Sequence, residues 1–210
     1  MRNKLLLLIL GMLSFQKSFS QSPQPQPGRM LAVNIGTSKA GTGDMRGLVL
    51  GVEYEKRFRP KLSWSSELGM TIHDGEDLLI VTTDDGGQQD LSYRYTTAGA
   101  QLSGKLGWHF AKSEHIDVGL KLGGLVRYQS SSVASERAVL FPLATGYPLP
   151  LTINRNFDPQ RTVSVGGVFQ LFARYTFNKT WSLGALTGLQ VDTNGDAFFP
   201  SLSLNIGRRF

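Results

Sequence analysis

The sequence predicts an all-β fold, an eight-stranded antiparallel up-and-down transmembrane β-barrel. Apolar and polar residues alternate with a period of two over segments of about ten residues, which is typical of membrane-spanning strands. The connections between these segments alternate between short and long, and the last segment ends on Phe210. After residue 20 the chain has no apolar run as long as the roughly 20 residues that a membrane-spanning helix requires.

Three regions follow one another along the chain. Residues 1–20 are predicted to be a cleavable signal peptide, because Arg2 and Lys4 precede a short apolar run and small residues close the segment at Ser20. Residues 21–28 contain three prolines and are predicted to be a flexible Pro/Gln linker. Residues 29–210 are predicted to form the barrel.

The charge balance argues against nucleic-acid binding. The chain has 22 basic and 16 acidic residues, a net charge of +6. Signal cleavage removes Arg2, Lys4 and Lys17, which leaves 19 basic against 16 acidic residues, a net charge of +3. A nearly balanced chain lacks the basic surface that nucleic-acid binding requires. The absence of cysteine excludes a disulfide scaffold, a cysteine zinc site and a lipoprotein anchor, and we expect no cofactor.

The alternation assigns each strand an apolar face and a polar face. In the segment 47–58, Leu48, Leu50 and Val52 lie on one face, and Glu53 and Glu55 lie on the other. The segments 61–72, 101–110 and 116–128 repeat this division. In a membrane barrel the apolar face meets lipid and the polar face lines the lumen. A soluble barrel with the apolar face inside has the same alternation, so the pattern alone does not separate the two arrangements.

The connections predict how the barrel is oriented. Short turns are predicted at 59–60, 111–114 and 178–179, and longer connections at 38–46, 73–91, 129–161 and 192–197. Outer-membrane barrels have short periplasmic turns and long extracellular loops. Eight strands then place both ends of the barrel domain in the periplasm.

The predicted lumen contains an unusual number of charges. Glu67 is expected opposite Glu53 or Glu55, an unfavourable pairing unless cations reach the same place. Eight strands leave a lumen that side chains fill, so we interpret these charges as a salt-bridged plug rather than as an ion gate. The predicted charge network consists of Glu53, Glu55, Glu67, Lys105, Asp117, Lys121, Arg127 and Arg174.

Aromatic residues cluster where the strands meet the predicted short turns. Such residues favour the membrane interface because the ring is apolar and its edge can reach water or headgroups. The predicted girdle consists of Phe58, Trp64, Trp108, Phe110, Phe177, Trp181 and Phe210.

With these features the sequence resembles the small OmpA/OmpX-type outer-membrane β-barrels. The most specific element is the last strand, Leu202-x-Leu204-x-Ile206-x-Arg208-x-Phe210. The resemblance implies that the chain resides in the outer membrane, where it contacts lipid and lipopolysaccharide. It also implies that the terminal phenylalanine is read by the barrel-assembly machinery.

Three functions are compatible with this fold. We favour a non-enzymatic barrel with a structural or loop-mediated interaction role, in which the long connection 129–161 contacts a protein partner. The alternatives are a narrow pore for small solutes and, less favoured, a lipid-modifying enzyme.

Two polar features bear on these alternatives. Of the three histidines, only His73, beside Asp74, is expected near the outer leaflet; His109 is expected in the lumen and His115 at a turn, and no catalytic triad spacing is evident. The acidic connection 73–91 could bind a divalent cation, but its spacing matches no calcium loop and it is better interpreted as a solvated loop.

Overall fold

The computed structural model of the protein describes residues 28–41, 45–82, 86–134, 136–146, 150–155, 158–194 and 197–210. The predicted signal peptide, 1–20, and all of the predicted linker except Gly28 lie outside the described residues.

Eight strands form one closed antiparallel barrel, so the predicted fold class is confirmed. Their bounds are β1 Arg29–Ala40, β2 Met45–Arg59, β3 Leu62–Asp77, β6 Tyr93–Lys112, β7 Ile116–Ser131, β10 Gln160–Phe177, β11 Trp181–Asp192 and β12 Ala197–Arg209. The order around the barrel is β1-β12-β11-β10-β7-β6-β3-β2, and the pairing of β1 with β12 closes it. Closure leaves no unpaired sheet edge.

The strands extend further into the predicted long connections than the alternation indicated. β1 and β2 together occupy most of the predicted connection 38–46, and β3 continues to Asp77. The remaining parts of two connections contain hairpins, formed by β4 Ile80–Thr82 with β5 Gln88–Asp90 and by β8 Glu136–Leu140 with β9 Leu151–Arg155. A single helical turn, α1 Pro142–Thr145, follows β8. Among the described residues, no helix has the length and apolar character that a membrane crossing requires.

The predicted short turns are confirmed at one end of the barrel, which we call the short-turn end. β2 and β3 are separated by residues 60–61, β6 and β7 by 113–115, and β10 and β11 by 178–180. In the last turn, Asn178 and Lys179 have φ angles of 49° and 57°, the left-handed pair that tight hairpins favour. We call the opposite end, which carries the hairpins, the long-loop end.

The barrel is polar inside and apolar outside. Alternate residues of every barrel strand are buried in the lumen, and the residues between them face outward. The outward Leu68, Leu106 and Leu122 are each more than 60% exposed, whereas the inward Glu53 and Lys121 have no exposed surface. A soluble barrel would bury its leucines, so the inverted, soluble arrangement is excluded by this placement.

Candidate functional site in the lumen

Three buried carboxylates and three buried cations form one ion-paired group in the lumen, which we call the central charge cluster. Its members are Glu53, Glu55, Glu67, Lys105, Lys121 and Arg174. They come from five neighbouring strands, β2, β3, β6, β7 and β10, because the inward positions of these strands converge on the same part of the lumen.

Lys105 resolves the like-charge pairing expected from the sequence. Glu53 and Glu67 are direct cross-strand partners in the register of β2 and β3. The Lys105 ammonium donates hydrogen bonds to Glu67 and, over 3.3 Å, to Glu53 Oε2. A third donation reaches Gln170 Oε1 at 2.9 Å, so all three ammonium hydrogens have acceptors.

Lys121 and Arg174 bridge the remaining carboxylates. The Lys121 ammonium contacts Glu53 and lies 2.8 Å from Glu55 Oε2. Arg174 Nη1 donates to the same oxygen of Glu55, also over 2.8 Å. Each carboxylate therefore shares cations with its neighbours, and this sharing offsets the cost of removing six charges from water.

Phe172, which is not among the predicted site residues, lies beside these cations. It is buried, with the Arg174 guanidinium 4.5 Å and the Lys121 ammonium 5.3 Å from its ring centroid. A cation over an aromatic face is stabilised by the ring quadrupole. The inward parity of β10 could have indicated this position, since Phe172 lies between Gln170 and Arg174 at a spacing of two.

Ser63, His109 and Asp117 form a hydrogen-bonded chain closer to the short-turn end. His109 Nδ1 lies 2.7 Å from Asp117 Oδ1, and His109 Nε2 lies 2.9 Å from Ser63 Oγ. This is the connectivity of a catalytic triad. Ser63 has no exposed surface, however, so no substrate can reach its hydroxyl. Arg57 also donates to Asp117 Oδ2 over 2.7 Å, which makes the acid part of the salt-bridge network.

Arg127 lies apart from the central charge cluster, nearer the long-loop end. Its Nη1 donates to Asp192 Oδ2 over 3.0 Å, and its Nη2 donates to Gln101 and Gln190 over 2.8 and 2.7 Å. The alternation predicts Arg127 among the cations that neutralise the glutamates, but in the structure it pairs with a different carboxylate, Asp192. Asp192 was missed because it lies at the boundary of a predicted loop.

The prediction that His73 lies near outer-leaflet lipid is wrong. Its side chain is fully buried in the lumen, and its Nε2 lies 2.6 Å from Ser38 Oγ. Asp74 faces the other side of the strand, where it accepts a hydrogen bond from Thr96 Oγ1 over 2.7 Å. Successive residues of a strand point to opposite faces, so adjacent histidine and aspartate cannot act together here.

The aromatic residues of the predicted girdle face outward at the short-turn end. All seven are between 39 and 51% exposed. Tyr54 joins two of them, with ring centroids 5.5 Å from Trp64 and 6.4 Å from Phe210. Trp108 and Phe110 lie edge to face at 5.9 Å. His115, at the neighbouring turn, packs against Tyr175.

The long-loop end exposes apolar side chains beyond the barrel strands. They are Leu78, Ile80, Leu91, Val139, Phe141 and Leu143, each at least 41% exposed. In the acidic connection, the Ser92 backbone N–H donates to Asp90 Oδ1 over 2.9 Å, and the hydrogen bonds from Ser92 lower the pKa of that carboxyl. Within the described ranges, no group of three histidine, cysteine, aspartate or glutamate side chains is arranged to hold a metal ion.

Solved structures with the same fold are small outer-membrane barrels. Ail, the attachment invasion locus protein of Yersinia pestis, superimposes with a TM-score of 0.51 at 10% identity, over 88% of this chain and 100% of Ail. Neisserial surface protein A superimposes with a TM-score of 0.50 at 12% identity, over 87% of this chain and 97% of that protein. A further structure of Ail contains the heparin analogue sucrose octasulfate. The resemblance to OmpA/OmpX-type barrels is thus confirmed for the fold.

Sequence comparison finds no such relationship. No protein-family model matches the chain, and no curated protein matches it.

Proposed function

We propose that this chain is a non-enzymatic integral outer-membrane β-barrel whose long-loop end binds a protein partner. The observation that carries the proposal is the inverted barrel, with an apolar exterior and a lumen closed by ion pairs, topped by hairpins that expose apolar side chains. The exterior suits lipid, and the closed lumen suits a scaffold better than a channel. The hairpins at the long-loop end are therefore the part of the barrel that is available to bind another protein.

The exterior supports the membrane location. Outward leucine, valine and isoleucine residues surround the barrel, and aromatic residues mark its short-turn end. This is the arrangement of an outer-membrane barrel with its short turns in the periplasm. The apolar exterior contacts outer-membrane lipid and lipopolysaccharide. Phe210, exposed beside the last strand, is read by the barrel-assembly machinery during insertion.

The buried ion pairs of the lumen support the proposal that the barrel does not conduct ions. Glu53, Lys105 and Lys121 have side chains with no exposed surface, and their ion pairs connect β2 with β6 and with β7 inside the lumen. Permeation by a hydrated ion would require several of these buried pairs to separate, which is strongly unfavourable in a poorly hydrated interior. The buried Ser63 likewise argues against hydrolytic chemistry.

The position and exposure of the hairpins support the proposal that a protein partner binds there. Both rise from the same side of the barrel, because β4–β5 joins β3 to β6 and β8–β9 joins β7 to β10, and these four barrel strands are neighbours. Phe141 and Leu143, beside and within α1, are 63 and 102% exposed. Apolar groups held out in water mark interaction surfaces. One structure of Ail contains a sulfated sugar, whereas the described charged side chains of these hairpins are the exposed Asp90 and Glu136, which disfavour a polyanion and favour a protein.

Site-specific photo-crosslinking in intact cells tests this proposal. A photoreactive residue at Leu143 should give a discrete protein adduct, whereas the same residue at the lipid-facing Leu106 should give none. Replacing residues 136–155 with a short Gly/Ser linker should abolish the interaction while the barrel remains folded. Absence of an adduct at Leu143, together with discrete conductance of the purified barrel in planar bilayers, would instead identify a pore.

A further inference from the structure

The short-turn end contains a cavity with an excess of positive charge. The cavity has a volume of about 80 Å³ and opens at the mouth of the lumen beside the start of β1. Five basic residues line it: Arg29, Arg57, Lys112, Arg174 and Arg209. Two acidic residues, Glu55 and Asp117, line it as well. Five cations against two anions leave a formal charge of +3 on the lining.

The two carboxylates are already shared among several cations. Asp117 accepts from Arg57 over 2.7 Å, contacts His109 at 2.7 Å, and lies 3.8 Å from Arg209 Nη2. Glu55 Oε2 lies 2.8 Å from both Lys121 and Arg174. Neither acid can therefore neutralise the additional cations of the cavity.

Arg174 contributes hydrogen-bond donors that the protein does not use. Its side chain is 2% exposed and lines the cavity, and only Nη1 reaches Glu55. Its Nε and Nη2, like Arg57 Nε, are buried and have no hydrogen-bond partner among the described residues. Buried N–H groups on a guanidinium are costly to leave without an acceptor. An oxyanion in the cavity would supply acceptors to these groups and negative charge to the lining.

We propose that this cavity is a binding site for a phosphate group. Arginine presents several N–H groups in a planar fork that suits phosphate oxygens, and paired arginine donors bind such oxygens strongly. The space suffices, since a water molecule needs about 10–15 Å³ by the same measure of volume. The charge also fits, because a phosphate carries one to two negative charges against the +3 of the lining.

Two sources could supply this phosphate group at the short-turn end. Inorganic phosphate could enter from the aqueous side, or the phosphate of a phospholipid headgroup could enter from the adjacent leaflet. The donor set is the same in both cases. The site lies at the opposite end of the barrel from the hairpins and does not depend on their interaction role.

Isothermal titration of the full barrel in maltoside micelles, at fixed ionic strength with chloride as the balancing ion, tests the proposal. Inorganic phosphate and dihexanoyl phosphatidylglycerol are the two probes. We expect one saturable site for at least one of them. Tighter binding of the lipid would assign the site to a headgroup, and equal or tighter binding of inorganic phosphate would assign it to the free ion.

Three variants separate the site from general charge attraction. Lys112→Gln combined with Arg209→Gln should weaken binding by about tenfold or more, because two charged donors are removed at the cavity mouth. Arg174→Lys keeps a cation for Glu55 but removes the unused donors, and it should weaken binding similarly. Lys179→Gln, the matched control, removes a charge at the same end outside the cavity and should leave the affinity unchanged.

The double variant decides the outcome if Arg174→Lys fails to fold, because Lys112 and Arg209 lie at the end of the barrel rather than in its interior. No saturable binding of either probe would overturn the proposal. Equal affinities in the wild type and the double variant would overturn it as well.

Discussion

The lumen has two walls that differ in the side chains they supply. The first, which we call the charged wall, consists of β2, β3, β6, β7 and β10 and carries the whole central charge cluster. The second, which we call the small-residue wall, consists of β1, β11 and β12. Its inward positions are mostly glycine, serine, alanine and asparagine, with Asp192 and Arg209 near its two ends.

The contrast follows from the space inside an eight-stranded barrel. Such a lumen is about filled by its own side chains, so long residues on one wall require short ones opposite. Short residues are needed beside the charged wall as well, because Gly184 pairs with Arg174 across β10 and β11. A Cβ built on Gly184 would lie 2.7 Å from Arg174 Cγ and 2.5 Å from the Ala173 carbonyl oxygen. The charged wall therefore determines the electrostatics of the lumen, and the small-residue wall determines whether those side chains fit.

The largest effect is expected on the charged wall, from Lys121→Met. The substitution keeps most of the side-chain volume but removes the cation shared by Glu53 and Glu55, leaving buried carboxylates with fewer partners. Breaking a buried ion pair in this way costs roughly 3–5 kcal/mol. Urea unfolding of the barrel in phospholipid vesicles measures the loss.

Lys179→Met is the control for that substitution, because Lys179 is exposed in the turn between β10 and β11. Its free energy of unfolding should remain within about 0.5 kcal/mol of the wild type. If Lys121→Met were equally harmless, the salt-bridged plug would be refuted.

The charged wall was also the part of the lumen that the sequence predicted best. Period-two alternation places Glu53, Lys105 and Lys121 on inward faces without any knowledge of the fold. The short turn between β2 and β3 also predicted that Glu67 lies opposite Glu53 or Glu55, and the register of the two strands selects Glu53. What alternation cannot supply is the register between strands distant in sequence, and the contacts of Lys121 with Glu53 and of His109 with Ser63 depend on it.

The long-loop end was predicted less well for a different reason. Where strands continue beyond the apolar band, the outward face becomes polar as well, as at Asp74 and Glu76, and the apolar-polar contrast that marks a strand disappears. β3 and β7 therefore extend past their predicted ends, and the hairpins within 73–91 and 129–161 left no clear signal. His73 was misplaced although the inward parity of Ser65, Glu67 and Thr71 continues through it.

A smaller effect is expected on the small-residue wall, from Gly184→Ala. The added methyl group would collide with backbone and with the stem of Arg174, and overpacking of this kind costs about 1–3 kcal/mol. The comparison is with Gly104→Ala, since a Cβ on Gly104 meets no heavy atom within 4 Å. Equal unfolding midpoints for these two variants would show that the small-residue wall can accommodate an added methyl group without overpacking.

The smallest effect is expected from replacing a polar pair on that wall by leucines. Asn205 Nδ2 donates to Asn34 Oδ1 over 2.5 Å, while Asn34 Nδ2 and Asn205 Oδ1 have no partner among the described residues. Either single Asn→Leu variant removes the one bond and leaves a buried amide unpaired, at a cost of about 1–3 kcal/mol. Asn34→Leu with Asn205→Leu removes both amides and should unfold within about 1 kcal/mol of the wild type.

A double-mutant cycle on the urea unfolding free energies measures this coupling. Recovery of stability in the double variant would mean that polarity on the small-residue wall is dispensable, in contrast to the charged wall, where Lys105 and Lys121 each contact more than one acceptor. Losses that simply add would mean that the amides are held by contacts with the rest of the lumen. In that case the two walls would form one polar network.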